Sequence, residues 1–317
     1  MAAVVAPDGD GLARACAALR DGDLVAFPTE TVYGLGADAL RADAVARVFA
    51  AKRRPADNPL IVHLADAGQV DRVVARWPAL ARSLAAAFWP GPLTLVVDAA
   101  DAVPSVTTGG LATVAVRVPD HPVAEALLRA VDLPVAAPSA NRSGRPSPTE
   151  ARHVADDLGD DVAVVVDGGP CPVGVESTVV DARGPRPVLL REGSITREDL
   201  GLVGTSTDAD ALRASPGTRY RHYAPRCRVE VVAPGTGAGA AQRLLAAGQR
   251  VALVARDDAP TEVVAGTRFA DAADLARHLY AALREAEAAG ADVVVVESVA
   301  EVGVGRAVMD RLRRAAG

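Results

Sequence analysis

Hydrophobic and polar positions along this chain alternate with two different periods, and the switches between them mark out its elements. Residues 10–20 follow a helical spacing that stops at Asp21-Gly22-Asp23, a turn signal. Leu24-Val25-Ala26-Phe27 is a short apolar run that reads as a buried strand, followed by Pro28-Thr29-Glu30-Thr31. The same reading predicts helices over 41–52, 78–88, 122–131 and 149–158. Strands are predicted at Leu60–Leu64, Leu93–Val97, Thr113–Val118, Val135–Ala137, Val162–Asp167, Ser177–Asp181 and Val188–Arg191. Strands and helices intermingle, and several connections have hairpin length. A mixed sheet is therefore expected rather than a purely parallel one.

From 202 to 228 the periodicity disappears, and Arg213–Arg228 holds five arginines with no acid. Beyond it, Val229–Ala233, Arg250–Val254 and Asp292–Val296 read as largely apolar strands separated by helical stretches at 238–247 and 271–289. That spacing predicts a small parallel α/β domain. With 317 residues, two domains are the natural expectation: 1–205, then a linker or lid at 206–228 that carries function, then 229–317.

Composition narrows the field. Half the residues are apolar but only 3% are aromatic, so Ala, Val and Leu must fill the cores. The formal charge is −6, and residues 1–205 carry 19 basic against 26 acidic side chains, a balance of −7. That opposes broad nucleic-acid binding. Cys16, Cys171 and Cys227 show no CxxC spacing, which fits a reduced cytoplasmic protein without disulfides or structural zinc. No signal peptide and no run near the ~18 apolar residues of a membrane span is evident.

Four segments carry candidate chemistry. Pro28–Gly36 follows a strand and offers two threonine hydroxyls and permissive glycines; by itself it is also an ordinary capped turn. Lys52-Arg53-Arg54, with Asn58 and His63, contains the single lysine among 34 basic residues. A compact ammonium beside planar guanidinium groups fits phosphate, while a plain helix end would also tolerate them. Val135–Gly144 runs from a strand into a Ser/Asn/Gly loop suited to facing an anion, or simply to turning. Finally, Arg117 sits among valines, where a guanidinium is costly unless paired. Its partner is either a substrate carboxylate or an acid from the fold. The same fourth candidate takes in Gly174–Thr178, with Ser177, and Arg191-Glu192-Gly193. P-loop, HExxH and GxSxG motifs are absent, and nothing favours a covalent nucleophile or a protein-built metal cage.

Several of these runs, in order, resemble the YrdC/Sua5 family: PTETVYGLGADA (28–39), KRRPADNPL (52–60), WPGPLTLV (89–96), VAVRVPDHP (114–122), PSANRSGRPSPT (138–149), VESTVVD (175–181) and REGSIT (191–196). SPGTRYRHYAP (215–225) and the trailing domain are similar to its longer Sua5 form. Arg53 stands where that family often has Gly, and Thr218 where Met is usual.

The resemblance implies a twisted α/β sheet with a concave cationic cavity, followed by a smaller Rossmann-like domain. It implies a nucleotidyltransferase that makes threonylcarbamoyl-AMP and pyrophosphate from L-threonine, bicarbonate or CO₂, and ATP, with Mg²⁺ carried on the phosphates. A separate transferase complex would then modify adenosine 37 of tRNA, with direct tRNA binding by this chain doubtful. By position, Thr31, His63, Arg117, Ala137 and Ser177 match threonine contacts. Arg54, Asn58, Thr113, Ser139, Ser147, Arg191 and Tyr223 match nucleotide contacts, with Tyr220 and His222 near the last. Lys52 and Arg54 are the expected stabilisers of the leaving pyrophosphate. An RNA-binding module and a related carbamoyl-handling enzyme are the competing readings.

Overall fold

A computed structural model describes residues 2–55, 57–202 and 223–317. Most of the expected linker, including Thr218, Tyr220 and His222, lies outside the described residues. The chain divides into two compact units. The first takes the residues up to 143, 148–172 and those from 176; the second takes Gly144–Ser147, Val173–Val175 and the described residues from 223 on. Two short segments from the middle of the chain thus belong with the C-terminal unit.

The first unit contains strands β1 (Ala3–Val5), β2 (Val25–Phe27), β3 (Gly34–Asp38), β4 (Ile61–His63), β5 (Val74–Arg76), β6 (Leu93–Ala99), β7 (Thr113–Arg117), β8 (Val135–Ala136), β9 (Val164–Val166), β10 (Thr178–Asp181) and β11 (Val188–Arg191). They form one mixed sheet in the order β1-β9-β2-β3-β8-β4-β7-β6-β10-β11, with β5 paired to β6. The expected mixed sheet is present.

Helices α1 (Gly9–Asp21), α2 (Ala42–Lys52), α3 (Ala79–Phe88), α4 (Ser105–Thr108), α5 (Pro122–Val131) and α6 (Ala151–Leu158) flank the sheet. Asp8 caps α1 by accepting from Gly11 N–H at 2.9 Å, and Gly22 at φ 87° ends it, as the turn signal predicts.

Strand alternation distributes the two faces. Val62, Val114, Val116, Leu95 and Val97 point into a core filled by α2, α3 and α6. On the opposite face, Val25, Phe27, Val135 and Val164 pack under α1 and α5. Further along that second face, Ile61, Val96, Ala115, Val179 and Leu190 form a separate buried cluster. Its described members all come from strands, so this stretch of sheet has apolar residues but no helix built into its packing.

The second unit carries β12 (Arg228–Val232), β13 (Val251–Ala255), β14 (Ala265–Arg268) and β15 (Val293–Glu297), with helices α7 (Gly237–Ala246), α8 (Ala272–Ala288) and α9 (Gly305–Ala316). Its strands pair in the order β12-β15-β13-β14, all parallel, as the strand–helix–strand spacing predicts. No described helix in either unit is long and apolar enough to cross a membrane.

Several elements escape the sequence reading. β3 lies in a stretch taken for a glycine loop. A Cβ on Gly36 would lie 2.8 Å from Phe27 Cε1 and from Val135 Cγ1, so close packing demands glycine inside a strand. α9 begins at Gly305 after Gly303-Val304 without a side-chain cap, and gives no start signal. β1, β5, β14 and the single turn of α4 are equally unannounced.

Candidate active site

The site is laid out by register. β4 and β7 run parallel with His63 beside Arg117, and β6 and β7 run antiparallel with Leu95 opposite Val116. One step along that register brings Thr94 opposite Arg117. By alternation, His63, Arg117, Thr113 and Thr94 share the face of the strand-only cluster. Polar side chains therefore rise from a floor of Ile61, Ala115, Val96 and Val179.

Arg117 is the best-held of them. Its Nε donates to Gly91 O at 3.2 Å and its Nη1 to Thr31 Oγ1 at 2.9 Å. Its Nη2 lies 2.6 Å from Glu30 Oε1, with both side chains about 5% exposed. Of the two partners open to a guanidinium in a valine strand, the fold supplies an acid. Sequence reasoning missed Glu30, although it sits inside the PTET run; a carboxylate between two threonines in a loop looks solvated. Thr29 shapes that loop, its hydroxyl bonding Val32 O at 2.7 Å and meeting Thr31 Oγ1 at 2.8 Å. The ion pair lacks hydrogen-bond alignment, and neither Glu30 oxygen has a hydrogen-bond partner among the described residues.

His63 is buried with its Nδ1 likewise unpartnered. Burial, reinforced by the positive charge of Arg117, pushes its pKa down to about 3, so the ring is neutral. Phe27 meets it edge-on at 6.1 Å. Ala137 follows β8 and donates its N–H to Ile61 O at 2.9 Å, beside the floor.

Lys52, at the end of α2, is 1% exposed. Its Nζ donates to Ser139 O and Asn141 O, each at 2.5 Å, with Asn141 Oδ1 at 3.5 Å. Three oxygens around one ammonium explain a lone lysine where arginine serves elsewhere: a planar fork cannot reach them together. The ammonium lies beneath the Ser139–Asn141 loop and ties down its carbonyls. Ser143 N–H bonds Lys52 O at 2.9 Å, tightening the same junction. Arg53, exposed, takes a left-handed conformation at φ 51°, a backbone that glycine adopts without strain. Arg54 turns to the carbonyls of Asn58 (3.3 Å) and Pro59 (3.1 Å). The three adjacent cations therefore have three different environments.

Ser177 and Arg191 meet at the far side. Arg191 Nε donates to Ser177 O at 3.0 Å and its Nη2 to Ser177 Oγ at 3.1 Å, while Ser177 Oγ lies 2.7 Å from Thr94 Oγ1. Thr94 is a second polar residue that the sequence reading missed. Thr113 starts β7, opposite Asp98. The first unit thus holds Thr31, Lys52, Arg54, Asn58, His63, Thr113, Arg117, Ala137, Ser139, Ser177 and Arg191, whereas Ser147 and Tyr223 belong to the second. Tyr223 is buried there, its ring stacked on Tyr280 at 5.4 Å with the Arg311 guanidinium 5.7 Å from its centroid.

A family model for Sua5, YciO and YrdC proteins, described as "Telomere recombination", matches residues 17–193. A second, described as "Threonylcarbamoyl-AMP synthase, C-terminal domain", matches 195–317. The chain belongs to the Sua5/YciO/YrdC family. Among its relatives, threonylcarbamoyl-AMP synthase of Bacillus subtilis is 44% identical over 96% of this chain and 93% of its own length. The protein of that name from Pyrococcus abyssi is 44% identical over 94% and 92%. The crystal structure of P. abyssi Sua5 complexed with L-threonine matches with TM-score 0.91 at 41% identity, covering 100% of this chain and 98% of that one. Escherichia coli YciO, 22% identical over 63% of this chain with TM-score 0.56, shares the fold.

Proposed function

We propose that this member of the Sua5 family is a threonylcarbamoyl-AMP synthase, a nucleotidyltransferase-type enzyme acting on L-threonine and ATP. The observation that carries the reading is one face of the mixed sheet, where Arg117, bonded to Thr31 and beside His63 in the register, rises from an apolar floor. Its support is the likeness, over nearly the whole chain, to relatives of that name and to P. abyssi Sua5 with L-threonine.

In this reading the threonine carboxylate sits on Arg117, with Thr31, Ala137 and Ser177 around it, and neutral His63 offers a hydrogen bond. The amine adds to CO₂ derived from bicarbonate, losing a proton to give a carbamate. A carbamate oxygen then attacks the α-phosphorus of ATP, and pyrophosphate leaves. No enzyme nucleophile is required; positioning and charge neutralisation suffice. Within the first unit, Arg54, Asn58, Thr113, Ser139 and Arg191 are the proposed nucleotide contacts, and Lys52 and Arg54 the proposed stabilisers of the departing pyrophosphate. Lys52 would do so from behind the loop that it holds.

Mg²⁺ would ride on the triphosphate, neutralising its charge. The described residues offer hydroxyls and cations there, and no cluster of three acidic, His or Cys side chains that would cage it. The product would pass to a transferase complex that modifies adenosine 37 of tRNA. Pyrophosphate release measured with ATP and bicarbonate tests the reading: turnover should appear with L-threonine, fall with L-serine and vanish without an amino acid. Release that ignores the amino acid overturns it.

A further inference from the structure

The Arg117–Glu30 pair has a consequence for which substrates fit, given the reading of this end of the site as the amino-acid end. Both side chains are almost fully buried, and their opposite charges cancel. Arg117 spends its Nε on Gly91 O and one N–H of Nη1 on Thr31, which leaves it further donors for a carboxylate. Glu30 is hydrogen-bonded to nothing among the described residues, so its charge is not delocalised into a network.

The two histidines beside the pair contribute no compensating charge. His63 is neutral, held at about 3 by burial and by Arg117. Burial also pushes His121 down, outweighing the opposite pull of Glu30 and Asp120. A carboxylate arriving on Arg117 therefore turns a neutral buried spot into a net anion, which a low-dielectric interior penalises. A ligand that brings a positive charge one carbon away restores neutrality.

We propose that Glu30 is a specificity residue whose negative charge makes the site accept a zwitterionic α-amino acid and reject the matching α-hydroxy acid. Glu30 offsets Arg117 while the site is empty, and afterwards attracts the α-ammonium. The sign follows from charge alone. Removing a negative charge near the site weakens a ligand carrying the ammonium relative to one lacking it, wherever in the pocket the ammonium sits.

The test compares L-threonine with (2S,3R)-2,3-dihydroxybutanoate, in which hydroxyl replaces ammonium, by calorimetry on the full-length protein and its Glu30→Gln and Glu30→Asp variants. ATP titration checks each fold. The wild type should prefer L-threonine. Glu30→Gln should lower that preference roughly tenfold, as expected for loss of one unit charge a few ångströms away, and Glu30→Asp should retain most of it. An unchanged ratio in a Glu30→Gln protein that still binds ATP overturns the proposal. Should Glu30→Gln fail to fold, the wild-type ratio decides: equal binding of the two ligands overturns it, and a preference retained in Glu30→Asp supports it. Wild-type protein that binds ATP but not L-threonine is a different failure, that of the threonine reading beneath.

Discussion

In the second unit, the carboxylate of Glu297 at the end of β15 accepts from Gly237 N–H at 2.8 Å, where α7 begins, and from Arg256 N–H at 3.2 Å, just after β13. On the mixed sheet of the first unit, Glu30 and His63 are comparably buried, yet both Glu30 oxygens and His63 Nδ1 lack hydrogen bonds among the described residues. A helix N-terminus at the end of a parallel strand is the place where such domains often hold an anion. Here the chain's own carboxylate fills it. Fold alone points to the second sheet; the buried polar atoms of Glu30 and His63 that lack hydrogen bonds among the described residues point to the first.

The largest test of that contrast is Arg117→Ala. It strands Glu30 as a buried unpaired charge, which costs about 3–5 kcal/mol. Turnover with L-threonine should fall at least about 100-fold in kcat/KM while ATP binding persists. Pyrophosphate release and denaturant unfolding report the two effects, and full activity in this variant would remove Arg117 from the site.

Lys52→Ala comes next. Losing a charged donor to two carbonyls costs about 1.5–3 kcal/mol. Disordering the Ser139–Asn141 loop should lower turnover at least about tenfold, and Lys52→Arg should not rescue it. Recovery by arginine would show that charge alone matters there, not the three-oxygen geometry.

Glu297→Ala tests the other side. It should cost about 1–3 kcal/mol from two unsatisfied N–H groups, with turnover unchanged to within about twofold. A large loss of turnover would mean that the second unit is no passive counterexample.

Acidification sharpens the comparison further. The folded His63 resists protonation down to about 3, whereas the unfolded ring titrates near its ordinary 6.5. Stability from this residue is therefore full above 6.5 and is lost as pH falls toward 3, by at most about 1.4 kcal/mol per pH unit. Chemical denaturation at pH 7 and pH 5 should show the slope, and His63→Asn should flatten it. The smallest effect concerns two non-glycine residues with left-handed backbone, Arg53 at φ 51° and Tyr223 at φ 68°. Arg53→Gly should gain about 1 kcal/mol by thermal melting. Tyr223→Gly should instead lose stability, because its ring stacks on Tyr280 and lies beneath the Arg311 guanidinium.

How far the sequence carried the reading depends on what each residue's role requires. Arg117 in a run of valines announces its need for a partner, and Lys52 stands out as a solitary lysine. Parallel β13 and β15 are legible because near-continuous apolar runs mark strands buried on both faces. Glu30 and Thr94 were not, since their roles arise from strands brought together across the sheet, and no local spacing encodes that. The direction of Lys52, inward to carbonyls, was equally hidden: helix periodicity places a side chain on a face but does not choose its acceptors. β3 failed for a third reason, because glycine inside a strand mimics a loop until Phe27 and Val135 are seen pressing on it.

The assignment of Gly144–Ser147 and Val173–Val175 to the C-terminal unit bears on how the protein can be dissected. Arg145 pairs with Glu287 at 2.9 Å, Ala224 N–H bonds Gly144 O, and a Cβ on Gly174 would strike Ala276 O. A protease nick anywhere in 203–222 would therefore yield no clean pair of fragments. The N-terminal piece would carry off two stretches that its sibling needs, and recombinant halves divided there should each come out incomplete.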